Sequence, residues 1–305
     1  MTGASGPLDG ARRRLARVTA WLALLSPLSA APDAHAQWIA LDRGDHLTKG
    51  TLQTGVALGG SEIGDGVVTS GELYLQSAWK GYGGYLGVSW ASLDGATGAA
   101  ADAFAGAGVG NVELGAIWDT PFPLANITLR LGTAIPTVFS EARQNTLTFG
   151  SWSRGPDPVA GQQAQVPLRV TGSFRMPAGI LHARGDVGFD LLFPIGEDKE
   201  AADFETRLRF GAGIGLLWKG FGGTIEYAVS ASVVESKVDF EDKTLRHVLA
   251  FGLRYAAGPI DCVLGGTLPV NDDWNIGTIT LTIGSRWRLD DPNGDVAPVP
   301  TKDLH

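Results

Sequence analysis

The side chains able to act as acids, bases or nucleophiles are few. After residue 36, histidine occurs only at His46, His182, His247 and His305, and Cys262 is the single cysteine of the chain. A lipid hydrolase or acyltransferase needs a His beside a Ser or carboxylate at the lipid surface. His247 with Ser236 or Asp239 is the set that comes nearest to this pattern. No Gly-x-Ser-x-Gly elbow, His-Glu-x-x-His pair, phosphate loop or dinucleotide fingerprint occurs. Acidic runs at Glu197–Glu200, Asp239–Asp242 and Asp272–Asp273 match no calcium-loop pattern. The expectation is a protein that is not an enzyme and takes no cofactor or metal.

Arginine is the more informative residue, because it alternates with apolar neighbours. In 204–218, Leu208, Phe210, Ile214, Leu216 and Trp218 share one parity, while Glu205, Arg207, Arg209 and three glycines share the other. In 180–195, Val187, Phe189, Leu191 and Phe193 oppose Arg184, Asp186 and Asp190. In 277–289, Ile279, Leu281 and Ile283 oppose Thr278, Thr280, Thr282 and Arg286. Period-two alternation is the mark of a strand with two unlike faces. Strands with an apolar outside and a polar inside are those of membrane barrels. On that reading Arg130, Arg169, Arg175, Arg184, Asp186, Asp190, Glu205, Arg207, Arg209, Glu226, Arg254 and Arg286 line a lumen. Arginine keeps its charge and grips carboxylates with two parallel donors. A lining rich in it suits anionic solutes, while pairing with acids on neighbouring strands would instead plug a narrow barrel.

Twelve such segments are predicted, near 48–60, 67–79, 82–93, 107–119, 125–138, 166–177, 180–195, 204–218, 221–235, 244–257, 260–270 and 277–289. They are longer than the strands of about five or six residues usual in soluble sheets. Short connections such as Lys80-Gly81 alternate with long ones such as 139–165, the rhythm of an up-and-down barrel. Trp79, Tyr82, Trp118, Phe122, Trp218, Phe221, Tyr255 and Trp287 fall at or beside the short-turn ends, where an aromatic girdle is expected. The predicted fold is therefore all-β: a single antiparallel up-and-down transmembrane β-barrel of about 12 strands.

The ends of the chain frame this domain. Arg12, Arg13, Arg14 and Arg17 precede an apolar core, and Ala34-His35-Ala36 matches a small-x-small cleavage site, so residues 1–36 read as a cleaved signal peptide. Residues 37–289 are the expected barrel, and the Pro-containing 290–305 is expected to be a flexible periplasmic tail. The net charge of −8 at pH 7 argues against a nucleic-acid partner. The expected location is the outer membrane of a Gram-negative cell, with both termini periplasmic. Expected partners are outer-membrane lipid and lipopolysaccharide, the barrel-assembly machinery and a small-molecule solute.

Three segments reach an apolar-Pro step: Ile135-Pro136, Phe193-Pro194 and Leu268-Pro269. The stretches Leu131-Gly132-Thr133-Ala134-Ile135-Pro136-Thr137 and Leu264-Gly265-Gly266-Thr267-Leu268-Pro269 resemble the outer-membrane transporters of phenol-degradation (meta-pathway) gene clusters. That resemblance implies uptake of hydrophobic or aromatic compounds, which an Arg-rich lumen fits when the solute is an aromatic acid. The sequence thus predicts a passive channel or uptake protein for small anionic or aromatic solutes. The alternatives are a plugged barrel acting through its external loops and a surface lipid-modifying enzyme.

Overall fold

The computed structural model describes residues 48–58, 66–95, 106–122, 125–150, 157, 165–178, 180–195, 204–218, 220–235, 245–257, 260–270 and 277–287. The expected signal peptide and tail, the acidic runs, Ser236 and Asp239 lie outside the described residues.

Each of the twelve alternating segments forms a strand. They are β1 (Thr48–Leu58), β2 (Val67–Trp79), β3 (Tyr82–Asp94), β4 (Ala107–Pro121), β5 (Asn126–Ile135) and β6 (Gln165–Ala178), then β7 (Leu181–Pro194), β8 (Glu205–Trp218), β9 (Phe221–Glu235), β10 (Arg246–Ala257), β11 (Ile260–Pro269) and β12 (Gly277–Trp287). Every strand pairs antiparallel with its sequence neighbours, and β12 returns to β1, so the sheet closes without an edge. An eleven-residue strand such as β1 rises about 3.3 Å per residue and, tilted by about 40°, spans close to 28 Å, enough to cross a hydrocarbon layer.

The faces are inverted relative to a soluble protein. Leu73, Leu75, Leu86, Leu131, Val187, Phe210, Ile214, Ile225, Phe251, Leu253 and Leu264 are exposed on the outside. Glu72, Glu113, Arg130, Arg169, Arg184, Asp190 and Glu226 are buried on the inside. Water would penalise that outer surface, whereas lipid solvates it. The barrel is thus of the transmembrane type, and no described helix is long and apolar enough to cross a membrane.

The short turns gather at one end. Lys80 and Gly81 both have positive φ, 51° and 83°, the two-residue turn whose twist matches the flanking strands. Trp79, Tyr82, Trp118, Phe122, Trp218, Phe221 and Tyr255 are exposed beside this end, and the rings of Phe221 and Tyr255 lie 4.7 Å apart. The girdle expected from the sequence is therefore present, with the Trp287 side chain outside the described residues.

One element departs from expectation. The β5–β6 connection, predicted as a loop, contains the helix α1 (Glu141–Gly150). Ser140 precedes it, and its carbonyl accepts the first helical bond from the Gln144 amide. The helix lies inside the barrel at the long-connection end. Leu147 and Val138 pack on the inward residues Ala57, Val68, Ala91 and Leu93 of β1–β3. The chain entering it is pinned to β4, where the Thr137 and Val138 amides donate to Asn111 Oδ1 at 2.8 and 3.3 Å. Gly150 ends the helix against the wall: a Cβ there would stand 2.7 Å from that of Ala91.

Candidate functional site: the lumen wall

The inward parity of β4 to β8 builds a continuous ionic chain. Register places Arg169 of β6 opposite Asp190 of β7, and Asp190 opposite Arg207 of β8. Arg169 donates from Nε to Asp190 Oδ1 at 3.2 Å, from Nη1 to Glu113 Oε2 at 3.2 Å, and from Nη2 to Asp157 Oδ2 at 2.8 Å. Asp190, wholly buried, also accepts from Arg209 Nε at 2.8 Å and Nη2 at 3.0 Å. Arg209 Nη2 continues to Thr171 Oγ1 at 2.9 Å. The side chain of Arg209 lies over Gly188, its register partner, where a Cβ would meet the guanidinium at 2.8 Å.

An aromatic sector adjoins this chain on β2, β3 and β5. The rings of Tyr74 and Tyr85 stack at 5.8 Å. The Arg130 guanidinium lies 4.1 Å from the Tyr85 ring centre and donates to the Tyr74 hydroxyl at 3.1 Å. Tyr74 donates onward to Gln76 Oε1 at 2.7 Å. Tyr85 lies flat over two glycines: a Cβ on Gly132 would fall 1.9 Å from its hydroxyl, and one on Gly115 2.5 Å from its ring.

Towards the short turns, Arg184 donates to Asp186 at 3.0 Å and to Ser173 at 3.3 Å, turning away from Arg175, which faces it in register. His182 covers Gly215. Arg254 grips Asp261 with two bonds, 2.6 and 2.9 Å. Towards the long connections Arg207 pairs with Glu205, whose carboxylate also accepts from Ser232. Thr224 donates to the buried Glu226 at 3.3 Å.

Eleven of the twelve predicted lining residues thus turn inward: Arg130, Arg169, Arg175, Arg184, Asp186, Asp190, Glu205, Arg207, Arg209, Glu226 and Arg254. Arg286 stands on β12 opposite Lys49, and its side chain lies outside the described residues. Described inward bases are Lys49, Arg130, Arg169, Arg175, Arg184, Arg207, Arg209, Arg246 and Arg254. Glu72, Glu113, Asp119, Asp157, Asp186, Asp190, Glu205, Glu226 and Asp261 match them in number. Lys49, Asp119 and Asp157 add to the inward charges expected from the sequence, and the side chains of Arg286 and Arg288 lie outside the described residues. Asp119 parity was readable in the sequence, where it falls on the same face as Glu113 and alternates with Trp118. Asp157 carried no strand signal.

His247 faces outward. It meets the Tyr227 hydroxyl through Nδ1, and the two rings lie 5.8 Å apart. Among the described residues no group of His, Cys, Asp and Glu could hold a metal.

No family model matches the chain, and no curated protein is similar to it in sequence. Solved structures of similar form include an outer membrane channel from Pseudomonas putida F1, 12% identical, with 81% of this chain and 100% of that chain covered and a TM-score of 0.49. The translocator domain of the autotransporter NalP from Neisseria meningitidis is 13% identical, with 92% and 96% covered and a TM-score of 0.41. LpxR from Salmonella typhimurium is 10% identical, with 77% and 99% covered and a TM-score of 0.39. At these identities the likeness concerns general form and leaves activity open.

Proposed function

We propose that this chain is an outer-membrane uptake channel with a narrow lumen, passing small organic solutes by diffusion. One observation carries the reading: a closed barrel with an apolar outside holds a charged and hydrogen-bonding inner wall that runs from the turn end to the long-connection end. A wall of fixed ion pairs offers a polar solute successive partners, each too occupied to hold it long. Among the described residues inward acids and bases are equal in number, so selection there would come from local geometry and not from a net field. The short stretches of sequence that resemble phenol-degradation transporters favour aromatic solutes. The location proposed with this function is the outer membrane with periplasmic termini, after delivery by the barrel-assembly machinery and among lipopolysaccharide.

The second reading is a barrel closed by its own ion pairs and acting through its external loops. The burial of nearly all described inward charges favours it. Conductance of the refolded protein in planar bilayers separates the two. Steady small openings of near-equal cation and anion permeability support the channel. A folded barrel that stays silent at every voltage supports the closed barrel. A lipid-modifying activity at His247 with Tyr227 is the third reading, tested by hydrolysis of labelled lipid before and after His247→Ala.

A further inference from the structure

Arg169 carries three carboxylates, and they are not equivalent. Glu113 and Asp190 stand on β4 and β7, fixed by the ladder on either side of β5 and β6. Asp157 comes from the β5–β6 connection and takes Nη2 at 2.8 Å. Its side chain is 13% exposed, against 7% for Glu113 and none for Asp190.

The charges sharpen the difference. Arg169 and Arg209 together with Glu113 and Asp190 make a neutral set held by the wall alone. Counted on these pairs, Asp157 is a third anion on Arg169. A guanidinium edge that accepts one further carboxylate at hydrogen-bond distance will accept another of the same shape, because the exchange leaves the local charge unchanged. The wall beside the seat is closely packed. Gly132 stands opposite Arg169 in register, and the Tyr85 hydroxyl lies over it, with the Tyr74 ring stacked behind.

We propose that the Nη2 edge of Arg169 is a binding seat for the carboxylate of a small organic acid, and that Asp157 fills this seat as an internal stand-in for that carboxylate. The proposal rests on the uptake reading and names its solute class and its site. It makes recognition a competition between two carboxylates for one guanidinium edge. A neutral isostere has no charge to exchange and gains nothing.

The test is calorimetric titration of the refolded full chain in detergent, with benzoate and benzamide as probes. Asp157→Asn and Asp157→Ala remove the internal competitor and leave the wall pairs in place. An internal group competes at an effective concentration in the millimolar range, so both variants should bind benzoate about tenfold tighter or more than the unaltered chain. Benzamide should show no gain. Arg169→Lys added to Asp157→Asn keeps the charge but not the fork, and should abolish the gain. Unchanged benzoate affinity in the Asp157 variants, or an equal gain for benzamide, overturns the seat. Potassium chloride conductance of the same preparations reports on the channel separately. A benzoate gain in a silent barrel keeps the seat and removes the channel. Conductance without a benzoate gain does the reverse.

Discussion

Asp190 is the residue whose removal should cost the barrel most. Its carboxylate is wholly buried and accepts three charge-assisted bonds, at 3.2 Å from Arg169 and at 2.8 and 3.0 Å from Arg209. Asp190→Asn keeps the shape and one carbonyl acceptor. It turns an amide N–H towards a guanidinium and takes from Arg209 the carboxylate that its Nε and Nη2 both grip. At an effective dielectric of about 20, two charges 4 Å apart interact by roughly 4 kcal/mol. Breaking a buried pair from one side costs about 3–5 kcal/mol. At about 1.4 kcal/mol per tenfold, this is a loss of roughly two to three and a half powers of ten in the folding equilibrium. The assay is urea unfolding of the refolded protein in liposomes, followed by the fluorescence of Trp79, Trp118 and Trp218 at the lipid boundary. A loss below about 1 kcal/mol with an unchanged denaturant slope would refute the reasoning. It would mean that water screens the wall as it screens surface pairs.

Further expectations concern the other faces. Leu73, midway along β2 and exposed outward, should cost about 2–4 kcal/mol when changed to Arg in liposomes, by the same unfolding assay. Arg207→Ala strips Glu205 of its partner and should shift the reversal potential in asymmetric potassium chloride towards cation preference. With Cys262→Ser as background, a cysteine at Ala57 sits beneath α1, and Leu147→Asp should raise its labelling rate by a water-soluble thiol reagent several-fold. Gly81→Val should lower stability by about 1 kcal/mol or more, since φ is 83° there and a Cβ would meet the Asp119 carbonyl oxygen at 2.7 Å.

What could be read in the sequence follows from how each signal arises. β7 and β8 announce themselves because lipid on one side and ion pairs on the other force unlike residues to alternate, as Phe210 does with Arg209. The same parity locates Arg169 and Asp190 on the inner wall, but their pairing depends on register, which alternation alone leaves open. α1 escaped because it presents little apolar periodicity: it is seated by Leu147, by its glycine end and by the pinned Thr137–Val138 segment before it, all tertiary features. Tyr74 and Tyr85 carry the inward parity of Glu72 and Ser89, yet aromatic residues in such strands suggest the lipid side. Their inward place depends on Gly115 and Gly132, which vacate the space that the Tyr85 ring fills.

The closing pair of the barrel has its own consequence. β1 meets β12 with Gln53 opposite Thr282, Gly55 opposite Thr280 and Ala57 opposite Thr278, and its one charged couple, Lys49 opposite Arg286, is of like sign. The ladder of backbone bonds therefore does the joining there with no salt link in register to guide it. That ladder also joins the two ends of the domain in sequence, the most expensive loop to close in the whole fold. The sheet should therefore assemble first where the arginines zip β6, β7 and β8 together, and the β1–β12 seam should form last. Under a pulling force the same line should part first, as the lip along which the cylinder unrolls.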